Sequence, residues 1–74
     1  MMKGDNLMSK LKGYRVMAGL TQEDIANHLG YSRVNYTYKE NDQKLLSYEE
    51  RKKIHKLLKR KLPNLKYDDL FPTE

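Results

Sequence analysis

The segment TQEDIANHLGYSRVNYTYKEN, residues 21–41, carries two hydrophobic periodicities, one on each side of a single glycine. Before Gly30, apolar residues recur at the spacing of an amphipathic helix, namely Ile25, Ala26 and Leu29. After it, alternate positions hold Val34, Tyr36 and Tyr38, which is the spacing of a strand. An isolated strand in a helical chain has no partner, so we predict a helix with Tyr36 facing inward. The outward-facing side chains of that helix would be Arg33, Val34, Thr37 and Tyr38.

The first half of the chain contains signals for three helix boundaries. An apolar stripe starts at Leu7 and continues with Leu11, Tyr14 and Ala18. Gly19 is expected to end that helix, because glycine is the usual residue after a helix C-terminus. Thr21 is a suitable N-cap for the second helix, with Asp24 at the third helical position. Residues 1–6 are predicted to be a frayed terminus before one domain over residues 7–74.

The second half contains signals for two more helices and a short turn. Ser32 is expected to cap the third helix, and Ser47 with Glu50 forms a capping box for the fourth. The fourth helix has an apolar stripe made of Ile54, Leu57, Leu58 and Leu62. Pro63 is expected to end it. We predict an all-α fold of four main helices, with the tail YDDLF forming one more helical turn over the core.

The second and third helices are close enough to form a helix-turn-helix. The helices of this motif cross steeply, so the first needs a small residue at the crossing, which Ala26 supplies. Its turn needs a left-handed residue, which Gly30 supplies without a steric penalty. In a helix-turn-helix, the apolar side chains of Leu29 and Tyr36 would fill the angle between the two helices. The alternative is an ordinary helical hairpin.

The composition limits the classes of function. The chain has 15 Lys and Arg against 10 Asp and Glu, a net charge of +5. This charge suits a domain that binds phosphates; the alternative is that it only keeps the protein in solution. There is no Cys, so we expect a reducing, cytoplasmic location and no thiolate metal site. No apolar run approaches a membrane span or a secretion signal. No catalytic constellation, metal site or cofactor motif is predicted, and His28 and His55 are expected on the surface.

The segment RVMAGLTQEDIANHLGYSRVNYTYKEN resembles the phage repressor and Cro type of helix-turn-helix, also called the xenobiotic-response-element family. The resemblance extends from about Leu11 to Phe71 and implies a lambda-repressor-like bundle. The positions that match the family pattern are Arg15, Gly19 to Gln22, Ala26, Gly30, Ser32, Arg33, Glu40 and Asn41. Two positions depart from it: Asp42, where the family often has Gly, and Lys39, where many members are apolar.

The resemblance implies a role for individual residues. The recognition helix, about Ser32 to Glu40, would lie in the major groove. The base-contacting residues would be Arg33, Val34 and Tyr38, since Arg can bind guanine and Val a thymine methyl. The backbone-contacting residues would be Gln22, Ser32, Asn35, Asn41 and Lys44. A buried ion pair would join Arg15 to Glu40.

These expectations define a function and its alternative. The resemblance suggests a sequence-specific regulator of transcription, such as a phage or mobile-element repressor, a Cro-like switch protein or an antitoxin. Its partners would be a pseudo-palindromic duplex, a second copy of the chain at least on DNA, and possible regulatory proteins, with no membrane. The tail residues Leu70 and Phe71 are a candidate dimer seam. The alternative is a protein-interaction module that keeps the fold without specific DNA binding.

The predicted fourth helix also has a basic face. At about 100° per residue, one arc opposite Ile54, Leu57 and Leu58 holds Lys52, Lys53, Lys56, Lys59 and Arg60. We interpret it as a solvated outer face. A surface for a membrane or an acidic partner is the alternative.

Overall fold

The computed structural model describes residues 5–72, with side chains described from Lys10 onward. Within that range the chain is all helical and contains no strand. Its helices are α1 (Asp5–Met17), α2 (Gln22–Leu29), α3 (Arg33–Asn41), α4 (Tyr48–Lys59) and α5 (Tyr67–Leu70), with a 3-10 turn at Gln43–Leu45. The predicted all-α fold of four main helices and a short C-terminal turn is therefore confirmed. Residues 1–4 of the expected frayed terminus and the Leu7 side chain lie outside the described part.

The helix starts are fixed by local hydrogen bonds of the expected kind. At the start of α2, the Thr21 hydroxyl accepts from the Asp24 N–H at 3.0 Å, and the Asp24 carboxylate accepts from the Thr21 N–H at 2.8 Å. These bonds hold the pKa of Asp24 below its ordinary value. Ser47 and Glu50 form the same reciprocal box at the start of α4. Each box satisfies N–H groups that a helix terminus otherwise leaves without a partner.

The end of α4 differs from the prediction. The helix ends at Lys59, four residues before Pro63, instead of continuing up to the proline. The N–H groups of Arg60 and Lys61 donate to carbonyls three residues back, on Leu57 and Leu58. This tightening is common in the last turn of a helix. It redirects the chain so that Leu65, only 5% exposed, reaches the core.

One core joins all five helices. Its fully buried large side chains are Tyr36, Phe71, Ile25, Ile54, Leu58 and Leu70. Smaller and flanking residues complete it, namely Leu11, Ala18, Ala26, Leu46 and Leu65. Since Ala26 is completely buried, α3 can pack closely against α2 at that point. The core therefore fixes α3 by the inward face that carries Tyr36.

The C-terminal tail belongs to this core, which corrects one expectation. Leu70 is 0% exposed and Phe71 is 1% exposed, so neither side chain is available as a dimer seam. The tail also corrects the expectation for His55. That side chain is half-buried, its Nε2 lies 2.9 Å from the Leu65 carbonyl oxygen, and its ring meets Tyr67 edge-on. His55 thus helps to attach the tail to α4, while His28 is exposed as expected.

None of the helices in residues 5–72 combines the length and apolar character that a membrane crossing requires.

Candidate nucleic-acid interface

The turn between α2 and α3 contains the left-handed glycine and the N-cap that the sequence predicted. Gly30 has φ 85° and ψ 26°, in the left-handed region. After it, the Tyr31 N–H donates to the Ala26 carbonyl at 2.8 Å, which closes the end of α2. Ser32 follows in an extended conformation and caps α3 through the Asn35 N–H. Three residues thus reverse the chain and start a new helix.

A buried ion pair links α1 to the end of α3. Arg15 Nε donates to Glu40 Oε2 at 2.7 Å, and Arg15 Nη2 donates to Glu40 Oε1 at 3.5 Å. The two residues are only 7% and 2% exposed. Arg15 Nη1 also donates to the Leu20 carbonyl at 2.9 Å. The pair expected between Arg15 and Glu40 is therefore present, and it also fastens the connection between α1 and α2.

Two further donors complete the environment of the Glu40 carboxylate. Gln22 Nε2 donates to Oε1 at 2.7 Å, and the Tyr36 hydroxyl donates to Oε2 at 3.0 Å. Burial, together with the negative charge of Glu40, raises the pKa of Tyr36 well above its ordinary value of 10.0. The phenol is therefore a neutral donor. A buried carboxylate with this many donors is well compensated for its lost hydration.

Gln22 also contacts α3 through its other amide atom. Its Oε1 accepts from the Thr37 hydroxyl at 3.0 Å, and that hydroxyl lies 2.9 Å from the Arg33 carbonyl oxygen. One side chain at the start of α2 therefore bridges two successive turns of α3, at Thr37 and Glu40. The Gln22 amide therefore holds α3 against α2, which is the bracing contact expected of this residue.

The three residues proposed to contact bases are exposed on α3. Val34 is 56% exposed and Tyr38 is 64% exposed, and they lie one helical turn apart on the same face. Arg33 is exposed in the first turn. The opposite face of α3 is buried through Tyr36 and Glu40. The helix thus presents a cation, a β-branched side chain and a phenol outward from a backbone that is held from behind.

The residues proposed to contact the DNA backbone are distributed around this face. Four of them are exposed, namely Ser32, Asn35, Asn41 and Lys44. The fifth, Gln22, is half-buried, and both ends of its amide have partners within the protein. A shallow depression beside α3 contains Gln22 and Arg33 together with Lys12 of α1. Lys12 thus lines the same depression as Arg33, together with the acidic Glu23.

The two positions that depart from the family pattern have clear structural roles. Asp42 leaves α3 with φ −145° and ψ 97°, so this exit needs no glycine. Its carboxylate accepts from the Lys44 N–H at 3.1 Å and caps the 3-10 turn. Lys39 Nζ donates to the Leu45 carbonyl at 3.0 Å and lies 3.7 Å from a Glu50 carboxylate oxygen. Both residues stabilise the connection from α3 to α4.

Three contributors were missed from the sequence. The hydroxyls of Tyr36 and Thr37 complete the network behind α3, and Lys12 lines the same depression as Arg33. The spacing of Tyr36 and Glu40, four residues apart, is a usable signal because such residues are neighbours on a helix. No local pattern indicates the other two, since their contacts join separate helices.

No group of three or more His, Asp or Glu side chains in the described residues is placed to hold a metal ion. Comparison of the chain with protein-family models, with curated proteins and with solved structures finds no match.

Proposed function

We propose that this chain binds duplex DNA sequence-specifically and regulates transcription, with α3 as the recognition helix in the major groove. The observation that carries the proposal is the two-sided character of α3. One side is fixed by the buried Arg15–Glu40 pair and Gln22, and the other presents Val34 and Tyr38 to solvent. Arg33 is exposed in the first turn, beside Gln22. Reading base edges requires side chains held at a defined position, which this arrangement provides.

The electrostatics support the same partner. The net charge of +5 attracts phosphates, and cationic Lys12, Arg33 and Lys44 lie on or near the proposed interface. Arg33 stands in the first turn of α3, where the helix dipole makes a cation mildly unfavourable. A guanine, with two acceptors in the major groove, would compensate that small cost.

The biological setting of this proposal follows from the family resemblance. A cytoplasmic phage or mobile-element repressor, a Cro-like switch protein or an antitoxin would each bind a pseudo-palindromic operator as a dimer. Two copies related by a two-fold axis read half-sites about 34 Å apart. Since Leu70 and Phe71 are buried, the dimer contact would use another surface.

An interaction module for proteins is the second candidate. Exposed Val34 and Tyr38 also favour it, because aromatic and apolar side chains are frequent at the centres of protein interfaces. That candidate does not account for the cations and amides around the same face.

The test compares two exposed tyrosines. Tyr38 is 64% exposed on α3 and Tyr48 is 62% exposed on α4. Under the proposal, Tyr38→Ala loses the preference for a duplex recovered by selection over a duplex of unrelated sequence, while Tyr48→Ala keeps that preference. A preference kept by both variants, or lost equally by both, would contradict the assignment of α3 as the recognition helix.

A further inference from the structure

The outer face of α4 is a concentrated positive surface. It consists of Lys52, Lys53, Lys56, Lys59 and Arg60, which are all exposed. We call it the α4 basic face. It points away from Ile54 and Leu58, both 0% exposed, so it faces directly outward from the core.

Little negative charge offsets this surface. The acidic residues of α4, Glu49 and Glu50, both lie in its first turn. Lys52 Nζ lies 4.0 Å from a Glu49 carboxylate oxygen. Glu50 forms its ion pair with Lys39 of α3, outside this face. The other four cations of the face form no ion pair with a carboxylate in the described part of the chain. Like charges one helical turn apart destabilise a helix, so this arrangement lowers the stability of α4.

The chemistry of the face selects among polyanions. A helix that binds membranes inserts an apolar face, but the apolar face of α4 is buried in the core. Protein interfaces are depleted in lysine. The exposed aromatic at the edge of this arc, Tyr48, lies under Lys52, whose Nζ is 4.7 Å from the centre of its ring. Lysine ammonium groups on flexible stems suit the phosphate backbone of nucleic acid, where charge matters more than geometry.

We propose that the α4 basic face is a second, sequence-independent binding surface for the phosphate backbone of duplex DNA. The main packing contacts of α4 are with α2 and α5, and the Lys39–Glu50 ion pair joins its first turn to α3. Lys52, Lys53, Lys56 and Lys59 line a shallow depression on the α4 basic face. This depression shares no residue with the depression that Arg33 lines. If α3 binds one segment as proposed above, the α4 basic face engages a different segment, and one domain can bridge two.

The first experiment measures affinity for a duplex of unrelated sequence across a salt series. The test variant is Lys53→Gln/Lys56→Gln/Lys59→Gln. The control is Lys10→Gln/Lys61→Gln/Lys66→Gln, which removes the same charge from exposed lysines elsewhere. Three lost phosphate contacts flatten the log–log salt slope by about 2.7, so the affinity ratio of wild type to test variant falls about 40-fold between about 50 and 200 mM salt. The control should keep a slope close to that of the wild type.

The second experiment separates this proposal from the function proposed for α3. An immobilised duplex is incubated with the protein and a second, labelled duplex, and the retained label is measured. The test variant should lose retention of the second duplex but keep its preference among sequences, whereas Tyr38→Ala should lose the preference and keep its unrelated-duplex salt slope. If Tyr38→Ala kept the sequence preference of the wild type, that result would count against α3 as the recognition helix but not against the proposal for the α4 basic face.

Two results would overturn the proposal for α4. Equal changes in the test and control variants would show a general effect of net charge instead of a site. Unchanged duplex binding by the test variant, with lost binding to vesicles of anionic phospholipid or to polyglutamate, would assign the face to a membrane or to an acidic protein.

Discussion

Arg15 and Glu40 are 25 positions apart in the sequence, and their side chains meet at 2.7 Å inside the domain. The carboxylate also accepts from Gln22 and Tyr36, so α1, α2 and α3 share one buried polar centre. This centre lies directly behind the face proposed to contact DNA. If α3 binds DNA as proposed, Glu40 joins the stability of the domain to the position of the binding helix.

Arg15→Ala is expected to lower the free energy of unfolding by about 3–5 kcal/mol, because it leaves a buried carboxylate without its cation. That is a large share of the stability available to a domain of this size. The control is Lys56→Ala, which removes a cation from an exposed position. Thermal and denaturant melts of both variants measure the difference. Small, equal shifts in both would remove the claim that the pair is a major source of stability.

Tyr36→Phe is expected to change how stability depends on pH. The folded state keeps the phenol neutral, since its pKa is raised above 10.0, while the unfolded chain ionises near that value. The wild type therefore binds more protons folded than unfolded above about pH 10, and its stability falls there as pH rises. Tyr36→Phe lacks this component. The stability gap between the two proteins should narrow by about 1.4 kcal/mol per pH unit above that point.

The matched control for this pH dependence is Tyr38→Phe, at an exposed position of the same helix. Its stability should run parallel to that of the wild type through the alkaline range. Urea melts at a series of pH values supply both comparisons. A gap between wild type and Tyr36→Phe that stays constant to pH 11, about one unit above the ordinary tyrosine pKa, would contradict the raised pKa.

Local chemistry made much of the fold predictable from the sequence. Caps at Thr21, Ser32 and Ser47 act within three residues, so a short window contains all their information. The predicted end of α4 was wrong because the end of this helix depends on how the chain must turn for Leu65 to reach the core. The sequence alone allows the tail to be a dimer seam, because it does not show whether Phe71 is covered by the same chain or by a second copy; in the structure the same chain covers it.

The candidate site was likewise predictable only in part from the sequence. Exposure of Val34 and Tyr38 follows from the helical period once Tyr36 is placed inward. Arg33, three residues before Tyr36, is exposed because it begins the helix. The bond from Thr37 to Gln22 joins residues 15 positions apart and depends on how α2 crosses α3. Periodicity along one helix contains no information on that crossing.

Gly30→Ala is expected to destabilise the domain by roughly 1–2 kcal/mol, because φ 85° is unfavourable for a residue with a Cβ. No atom lies within 4 Å of the added Cβ, so the backbone alone causes the effect. Gly13→Ala is the control, since Gly13 lies inside α1 and its Cβ also meets nothing within 4 Å. That variant should gain about 0.5–1 kcal/mol. Changes of the same sign in both variants would contradict the account of the turn.

Arg33→Ala and Lys44→Ala are expected to affect DNA binding differently. If Arg33 contacts guanine, its loss removes about 1–3 kcal/mol of discrimination at one symmetric pair of positions and leaves most non-specific affinity. If Lys44 neutralises a phosphate, its loss weakens all duplexes alike and flattens the salt slope by about one unit. Binding to the best site, its single-base variants and unrelated duplex supplies both profiles. Uniform weakening by Arg33→Ala would make Arg33 a backbone contact and leave Val34 or Tyr38 as the base contact.

The central claim is that α3 recognises a specific duplex sequence, and selection of bound sites from a random duplex pool tests it most directly. The proposal predicts enrichment of one pseudo-palindromic sequence, with half-sites centred about 10 base pairs apart, one turn of DNA. Selection with Tyr38→Ala, run in parallel, should lose or relax the preference at defined positions of each half-site. A pool that stays random after repeated rounds with the wild-type chain would contradict sequence-specific recognition by α3.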